Sequence, residues 1–232
     1  MKYTQINKKH IQYFVSKIGN NHILIGNDCN EYGSDHTEDL CCPPDIVLFP
    51  ESTKDVVAIL SYCNDNNIAV TPSGALTGLS GGAIPVLGGV SLSMKRMNKI
   101  LSIDEKNFQA TVQPGVINEE FQNSLKEKKL FYPPDPASKG SCTLGGNFAL
   151  NAGGPKAVKY GVTSNYVLNL QIVLADGKTF WTGANTLKNS TGYNLTQLII
   201  GSEGTLGVIT KAVLRLIPLP SQKALMLVPF EK

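Results

Sequence analysis

Ser73-Gly74-Ala75-Leu76-Thr77-Gly78-Leu79-Ser80-Gly81-Gly82 is the stretch that decides how this chain is read. With Gly88 and Gly89 it places six glycines in residues 73–89. Glycine permits positive φ and close approach of the backbone to a ligand. Successive backbone N–H groups in such a loop form a concave anion site. A flexible linker is the competing reading, but linkers are richer in Ser and Glu. This loop carries Leu76, Leu79, Ile84 and Val86 and is flanked tightly by apolar segments. The residues favour a phosphate cradle.

Working outward, Asp45 to Pro50 predicts a short apolar strand. Ser52-Thr53-Lys54-Asp55 resembles a capping box that opens a helix, with Val56, Ile59, Leu60 and Cys63 on one face. Ile68 to Thr71 predicts a second strand, and the loop follows it directly. Strand, helix and strand in this length make a βαβ unit, which places ligands at the carboxyl ends of its strands. The loop matches neither common nucleotide fingerprint. G-x-G-x-x-G follows the first strand of its unit and opens a helix. Here the glycines follow the second strand, and Gly89 to Met94 is strand-like. G-x-x-x-x-G-K-[ST] is absent. Both dinucleotide binding of the Rossmann type and P-loop hydrolysis are disfavoured.

Residues 1–20 predict a helix through Ile6, Ile11, Phe14, Val15 and Ile18. Ile100 to Ile103 and Ala110 to Val112 predict a hairpin, and Val116 to Lys129 an amphipathic helix. Phe131 to Gly161 reads as a second low-complexity loop region. Val167 to Ala175 and Lys178 to Trp181 predict a hairpin around Asp176-Gly177. Asn194 to Ile200 predicts a short helix. Gly201-Ser202-Glu203-Gly204-Thr205-Leu206-Gly207 is a third glycine-rich loop, followed by a strand over Val208 to Ile217. The second and third loops carry Thr143, Asn147, Asn151 and Ser202, short hydrogen-bonding side chains suited to a polar ligand. One long ligand wrapped by three loops would give them a common cause.

Composition removes several classes. The 232 residues carry a net charge of +3 and no basic cluster interleaved with aromatics, so no nucleic-acid partner is expected. Five cysteines with no C-x-x-C pair indicate neither a disulfide framework nor a zinc site. A reducing compartment fits best. The N-terminus lacks an apolar core for a signal peptide, and no apolar run approaches the ~20 residues of a membrane span.

With all three loops in view, the chain resembles the PCMH-type FAD-binding domain of the vanillyl-alcohol oxidase superfamily. Within it, the chain is most similar to the glycolate oxidase D-subunit and FAD-linked D-lactate dehydrogenase family. The resemblance rests on Tyr32-x-x-Asp35-x-Thr37-Glu38, residues 72–86, Pro133-Pro134-Asp135-Pro136-Ala137-Ser138 and Cys142-Thr143-Leu144-Gly145-Gly146-Asn147. It continues through Asn151-Ala152-Gly153-Gly154, Lys159-Tyr160-Gly161-Val162-Thr163 and residues 201–207.

The resemblance implies an α+β fold of two subdomains, a small βαβ subdomain and a larger subdomain with a mixed or antiparallel sheet and helices. Residues 1–40 would form an N-terminal helix and loop. Residues 41–220 would form the FAD-binding domain, divided into about 41–101 and 102–220, and 221–232 would begin a substrate domain. FAD would be held non-covalently. Pro72, Ser73, Gly74, Ala75, Leu76, Thr77, Gly78, Leu79 and Ser80 would cradle its pyrophosphate. Pro134, Asp135, Ser138, Thr143, Gly145, Gly146 and Asn147 would line the flavin and ribityl chain. Asn151, Gly153, Gly154, Tyr160 and Gly161 would pack along the cofactor. Glu203, Gly204, Val208 and Ile209 would enclose the adenine. The family usually has Arg-Gly-x-Gly-Thr-Gly at the first loop, so Leu76 stands at a glycine position. At positive φ a leucine there would cost about 1–2 kcal/mol.

By the same resemblance the activity would be oxidation of a D-2-hydroxy acid of the glycolate or D-lactate type, with hydride passing to FAD. Electrons would leave to a quinone, cytochrome or iron–sulfur partner. A complementary chain would supply the substrate domain. The protein would be cytoplasmic, or peripheral at the inner membrane. No catalytic base is assigned: no histidine follows His36, and Arg96 and Arg215 are the arginines. The alternatives are a non-catalytic FAD-binding or assembly subunit and a different reaction of the same superfamily.

Overall fold

In the computed structural model, residues 3–37, 40–222, 224 and 226–230 are described. Glu38, and Lys223, Leu225, Glu231 and Lys232 of the expected substrate-domain start, lie outside them. The first part of the chain builds a four-stranded sheet. Helix α1 (Lys8–Ile18) is shorter than the apolar spacing predicts. The Asn7 side chain starts it by accepting from the Lys9 and His10 backbone N–H groups, and Gly19 at φ 83° ends it. The strands are β1 (Ile23–Ile25), β2 (Ile46–Leu48), β3 (Val70–Ser73) and β4 (Val90–Ser93), with helix α2 (Thr53–Asp65) between β2 and β3. Strand β1 went unread in the sequence. The order is β1-β2-β4-β3, with β4 parallel to both β2 and β3.

The Ser52–Asp55 capping box is present: Asp55 N–H donates to Ser52 Oγ, and Ser52 N–H donates to Asp55 Oδ2. Val56, Ile59, Leu60 and Cys63 are buried as their spacing predicts. They pack with Phe14, Ile46, Leu48, Val90 and Leu92, each fully buried. Each such side chain contributes about 1.5–3 kcal/mol relative to exposure.

The second sheet is antiparallel throughout. Its strands are β5 (Ile100–Asp104), β6 (Gln109–Val112), β8 (Val167–Val173), β9 (Thr179–Trp181) and β10 (Val208–Arg215), in the order β5-β6-β10-β8-β9. Both predicted hairpins form. At the second, only Gly177 takes positive φ, and Leu174 N–H donates to the Lys178 carbonyl. This is a three-residue connection with glycine at its left-handed position. A small ribbon pairs β7 (Leu130–Phe131) with β11 (Ile217–Pro218).

Helix α3 (Asn118–Lys126) is shorter than the Val116–Lys129 expectation. Ile117 bridges to Thr143 instead, and Lys129 turns left-handed at φ 53°. The reading of Phe131 to Gly161 as loop is corrected: it contains α4 (Leu144–Leu150) and α5 (Ala157–Tyr160). Two glycines weaken the helical signal of α4 by about 1 kcal/mol each. Tertiary packing overrides this, because Leu144 and Phe148, one turn apart, are fully buried in the second core with Phe121, Leu125 and Tyr132. Helix α6 (Leu195–Ile199) falls where expected. The two layers share residues: Val173 and Val208 belong to the second sheet but bury in the core of the first.

Candidate functional site

Strands β3 and β4 are neighbours and parallel, so the chain must cross back between them. Here the crossover is the glycine loop itself, residues 74–89. It leaves at the carboxyl end of β3, where α/β sheets bind ligands. Ser73, at that end, is buried, and its Oγ lies 3.4 Å from Ser91 Oγ. None of the backbone N–H groups of residues 74–83 donates a hydrogen bond to a described residue. These free donors lie along a groove instead of inside the fold. The residues that carry them are half-buried or exposed, so these donors are open to solvent and available to an anionic ligand.

Leu76 sits in this run at φ 60°, and Glu203 in the third loop at φ 52°. Leu76 therefore carries the strain expected of a leucine at a glycine position, about 1–2 kcal/mol. It is partly offset because Leu76 packs against the small cluster of Cys29, Tyr32 and Val47.

The facing wall is the second region. Thr143 caps α4, and its Oγ1 accepts from the Gly146 N–H at 3.3 Å. Three close approaches hold the walls together. A β-carbon on Gly74 would stand 2.5 Å from Thr143 Oγ1, one on Gly145 would stand 2.6 Å from Pro114 Cβ, and one on Gly204 would stand 2.5 Å from Pro72 Cγ. The N–H groups of Leu144 and Gly145 donate to the Val116 and Pro114 carbonyls. The donors open to a ligand therefore come from the first loop and not from this helix end.

Between these walls lies a groove made of adjoining cavities that share lining residues such as Pro72, Gly74, Thr143 and Gly146. A cavity of about 130 Å³ lies between residues 74–83 and residues 136–152, with Glu203 on its rim. It adjoins a narrower one of about 60 Å³ between Pro72, Gly74, Thr143 and Gly146 on one side and Gly204, Val208 and Ile209 on the other. Beyond the Pro72–Gly204 contact it widens to about 500 Å³ beside the open edge of β3.

Most of the expected residues meet in this groove. Pro72, Ser73, Gly74, Ala75, Leu76, Thr77, Gly78 and Ser80 line it from the first loop. Ser138, Thr143, Gly145, Gly146 and Asn147 line it from the second, and Glu203, Gly204, Val208 and Ile209 from the third. Leu79 is the exposed tip of its loop, at 77% exposure. Pro134, Asp135, Asn151, Gly153, Gly154, Tyr160 and Gly161 stand outside the lining. Their contacts explain why. Asn151 is the left-handed cap of α4 at φ 50°. The Tyr160 ring packs edge-on to Phe131, and a β-carbon on Gly154 would overlap the Asp135 carbonyl. Asp35, Pro136 and Cys142 do line the groove. Their motifs are visible in the sequence, but the spacing gives no sign that these side chains face the ligand.

Asp135 is a charged anchor behind the second wall. Its nearly buried carboxylate pairs with Lys156 at 2.8 Å and Lys139 at 3.2 Å. Burial pushes its carboxyl up, but the hydrogen bonds from Lys156 and Lys139 outweigh this and hold it below the usual carboxylate range. Burial pushes the Cys142 thiol up, against hydrogen bonds from Asn147 and Ser138. Cys142 is thus a buried thiol in the groove wall. Among the described residues no group of three or more His, Cys, Asp or Glu side chains could hold a metal ion. No helix of the described residues is long and apolar enough to cross a membrane.

Residues 44–183 match the family described as "FAD binding domain". The chain belongs to this family of FAD-binding domains. Residues of all three loops line the groove, and the unpaired N–H groups of residues 74–83 are donors that the anionic part of such a cofactor could use.

The chain is 44% identical over 200 residues to the glycolate oxidase subunit GlcD of Bacillus subtilis (strain 168), covering 86% of this chain and 43% of that protein. It is 42% identical to a D-lactate dehydrogenase of Anaerostipes hadrus, covering 99% of this chain and 48% of that one. A D-2-hydroxyglutarate dehydrogenase of Stutzerimonas stutzeri (strain A1501) is 42% identical over 81% of this chain and 40% of its own. This FAD-binding chain thus spans less than half the length of these curated relatives. Among solved structures, alkyldihydroxyacetonephosphate synthase superposes with a TM-score of 0.83 at 24% identity, over 96% of this chain and 42% of that chain. Substrate-bound p-cresol methylhydroxylase superposes with a TM-score of 0.81 at 24% identity, over 92% and 44%. The α+β, two-subdomain PCMH-type fold implied by the sequence resemblance is the fold observed.

Proposed function

We propose that this chain is the FAD-binding portion of a flavin-dependent dehydrogenase or oxidase of D-2-hydroxy acids. The observation that carries the reading is the convergence of three separate loops on one groove, whose first wall offers a run of unpaired backbone donors. The relatives named for glycolate, D-lactate and D-2-hydroxyglutarate supply the substrate class. In this reading the first loop takes the pyrophosphate. The Gly204 to Ile209 segment encloses the adenine end, and Ser138 to Asn147 face the flavin end.

FAD held there would supply a hydride acceptor for the substrate carbon and a route for electrons to a separate acceptor. The residues of this chain bind and orient it, and exclude water from the groove. The groove lining among the described residues contains no histidine, lysine or arginine. We therefore place the base and the cationic carboxylate grip in a substrate domain outside these residues. That domain would begin at residues 221–232, or come from a complementary chain.

The test is a purified, yellow protein whose bound FAD is challenged anaerobically with glycolate, D-lactate and D-2-hydroxyglutarate. Bleaching by one D-isomer and not its L-isomer supports the reading. FAD that binds and stays oxidised with the whole panel, in the presence of the remainder of the protein, overturns the hydroxy-acid assignment in favour of a non-catalytic flavin subunit.

A further inference from the structure

The groove has an open side, and one side-chain contact spans it. Ser80 Oγ donates to Glu203 Oε2 at 2.9 Å, across 123 residues of sequence. Among the described residues this is the one side-chain hydrogen bond that residues 74–83 make. Their backbone is otherwise held by the His36 N–H, which donates to the Gly78 carbonyl at 3.0 Å, and by the Ile84 N–H, which donates to the Gly81 carbonyl.

Glu203 is the fixed partner. Its backbone is left-handed at φ 52°, its N–H donates to the Ala149 carbonyl at 3.0 Å, and the next residue, Gly204, is pressed onto Pro72. Strained backbone of this kind persists only where the surroundings over-determine it, and it gathers at ligand clamps. The loop accommodates the carboxylate at one more point. Gly82 lies so close that a β-carbon there would overlap Glu203 Oε2.

A carboxylate beside an anion-binding loop opposes the charge of the ligand. Attraction to a pyrophosphate does not explain its place, whereas closure of the groove does. We propose that Glu203 is a positioning residue. With Ser80 it latches the glycine loop over the bound dinucleotide and sets the rate at which the cofactor leaves. This rests on reading the groove as the FAD site.

The experiment measures FAD release from the intact protein by stopped-flow flavin fluorescence. Amide hydrogen exchange of residues 79–83 is measured alongside. Ser80→Ala, Glu203→Ala and Gly82→Ala are each expected to speed release about five-fold, the size of one hydrogen bond. Ser80→Thr, which keeps the hydroxyl, is expected to restore slow release. The Ser80→Ala/Glu203→Ala double variant should release no faster than either single variant, because both break the same contact. Exchange at residues 79–83 should rise in all three alanine variants. Additive effects, or unchanged release with unchanged exchange, overturn the latch. A wild-type protein that holds no FAD defeats the reading of the groove, and the exchange rates at residues 79–83 then decide the latch alone.

Discussion

Gly74 and Thr143 touch across the groove, with the place of a Gly74 β-carbon only 2.5 Å from Thr143 Oγ1. One residue opens the first glycine loop, directly after the last residue of β3, and the other caps the helix of the second wall. The contact fixes the width of the groove at its narrowest part. Gly74→Ala cannot be accommodated without moving Thr143 off its capping hydrogen bond to Gly146. Overpacking of this kind costs about 1–3 kcal/mol. The expected result is a lower melting temperature and FAD affinity reduced by tenfold or more, read by thermal unfolding and flavin fluorescence titration. Wild-type affinity in this variant would sink the proposed wall-to-wall contact.

Leu76 gives a two-sided test. Leu76→Gly relieves about 1–2 kcal/mol of left-handed strain, but it removes packing against Cys29, Tyr32 and Val47. The opposing effects should leave stability within about 1 kcal/mol of wild type. Leu76→Val keeps apolar bulk, yet a β-branched residue at φ 60° is a severe outlier. It should destabilise clearly more than Leu76→Gly. Denaturant midpoints of the two variants check the order.

Asp135 sets an acid limit. Its folded-state carboxyl is held below the unfolded value of about 3.9. The unfolded chain therefore binds the proton first, and this contribution to stability is complete above pH ~4. It is lost as pH falls through the lower, folded value. Asp135→Asn should lower stability at neutral pH and flatten the acid limb of a stability–pH curve. The same acid limb in both proteins would show that the Lys139 and Lys156 pairs do not matter.

The cysteines should separate by reactivity. Burial pushes the Cys63 thiol up to about 12 and also raises Cys29 and Cys142, so all three stay protonated at neutral pH. Cys41 is exposed. Iodoacetamide on the native protein should label Cys41 and spare the buried three until denaturant is added, as read by peptide mass spectrometry.

Much of this site is legible in the sequence because glycines and short polar side chains mark where the backbone must come close to a ligand. Glycines also hid part of it. Gly145 and Gly146 make α4 look like loop, and only the burial of Leu144 and Phe148 against a distant sheet makes it a helix. Leu76 could be flagged from its place in the motif, but its positive φ needed the backbone to be seen. The Ser80–Glu203 contact carries no local signal, because it joins residues that only the two-sheet topology brings together. Tyr160 and Gly161 belong to a motif of the family, yet they pack behind the groove against Phe131 and Asn165.

Val173 and Val208 sit on strands of the second sheet but are sealed inside the core of the first. Neither half of the molecule can therefore melt without exposing apolar surface in the other. Calorimetry should find a single cooperative transition with equal calorimetric and van't Hoff enthalpies. The groove between the two sheets would then be lost all at once, and the protein would pass from a formed binding site to an unfolded chain with no half-open intermediate.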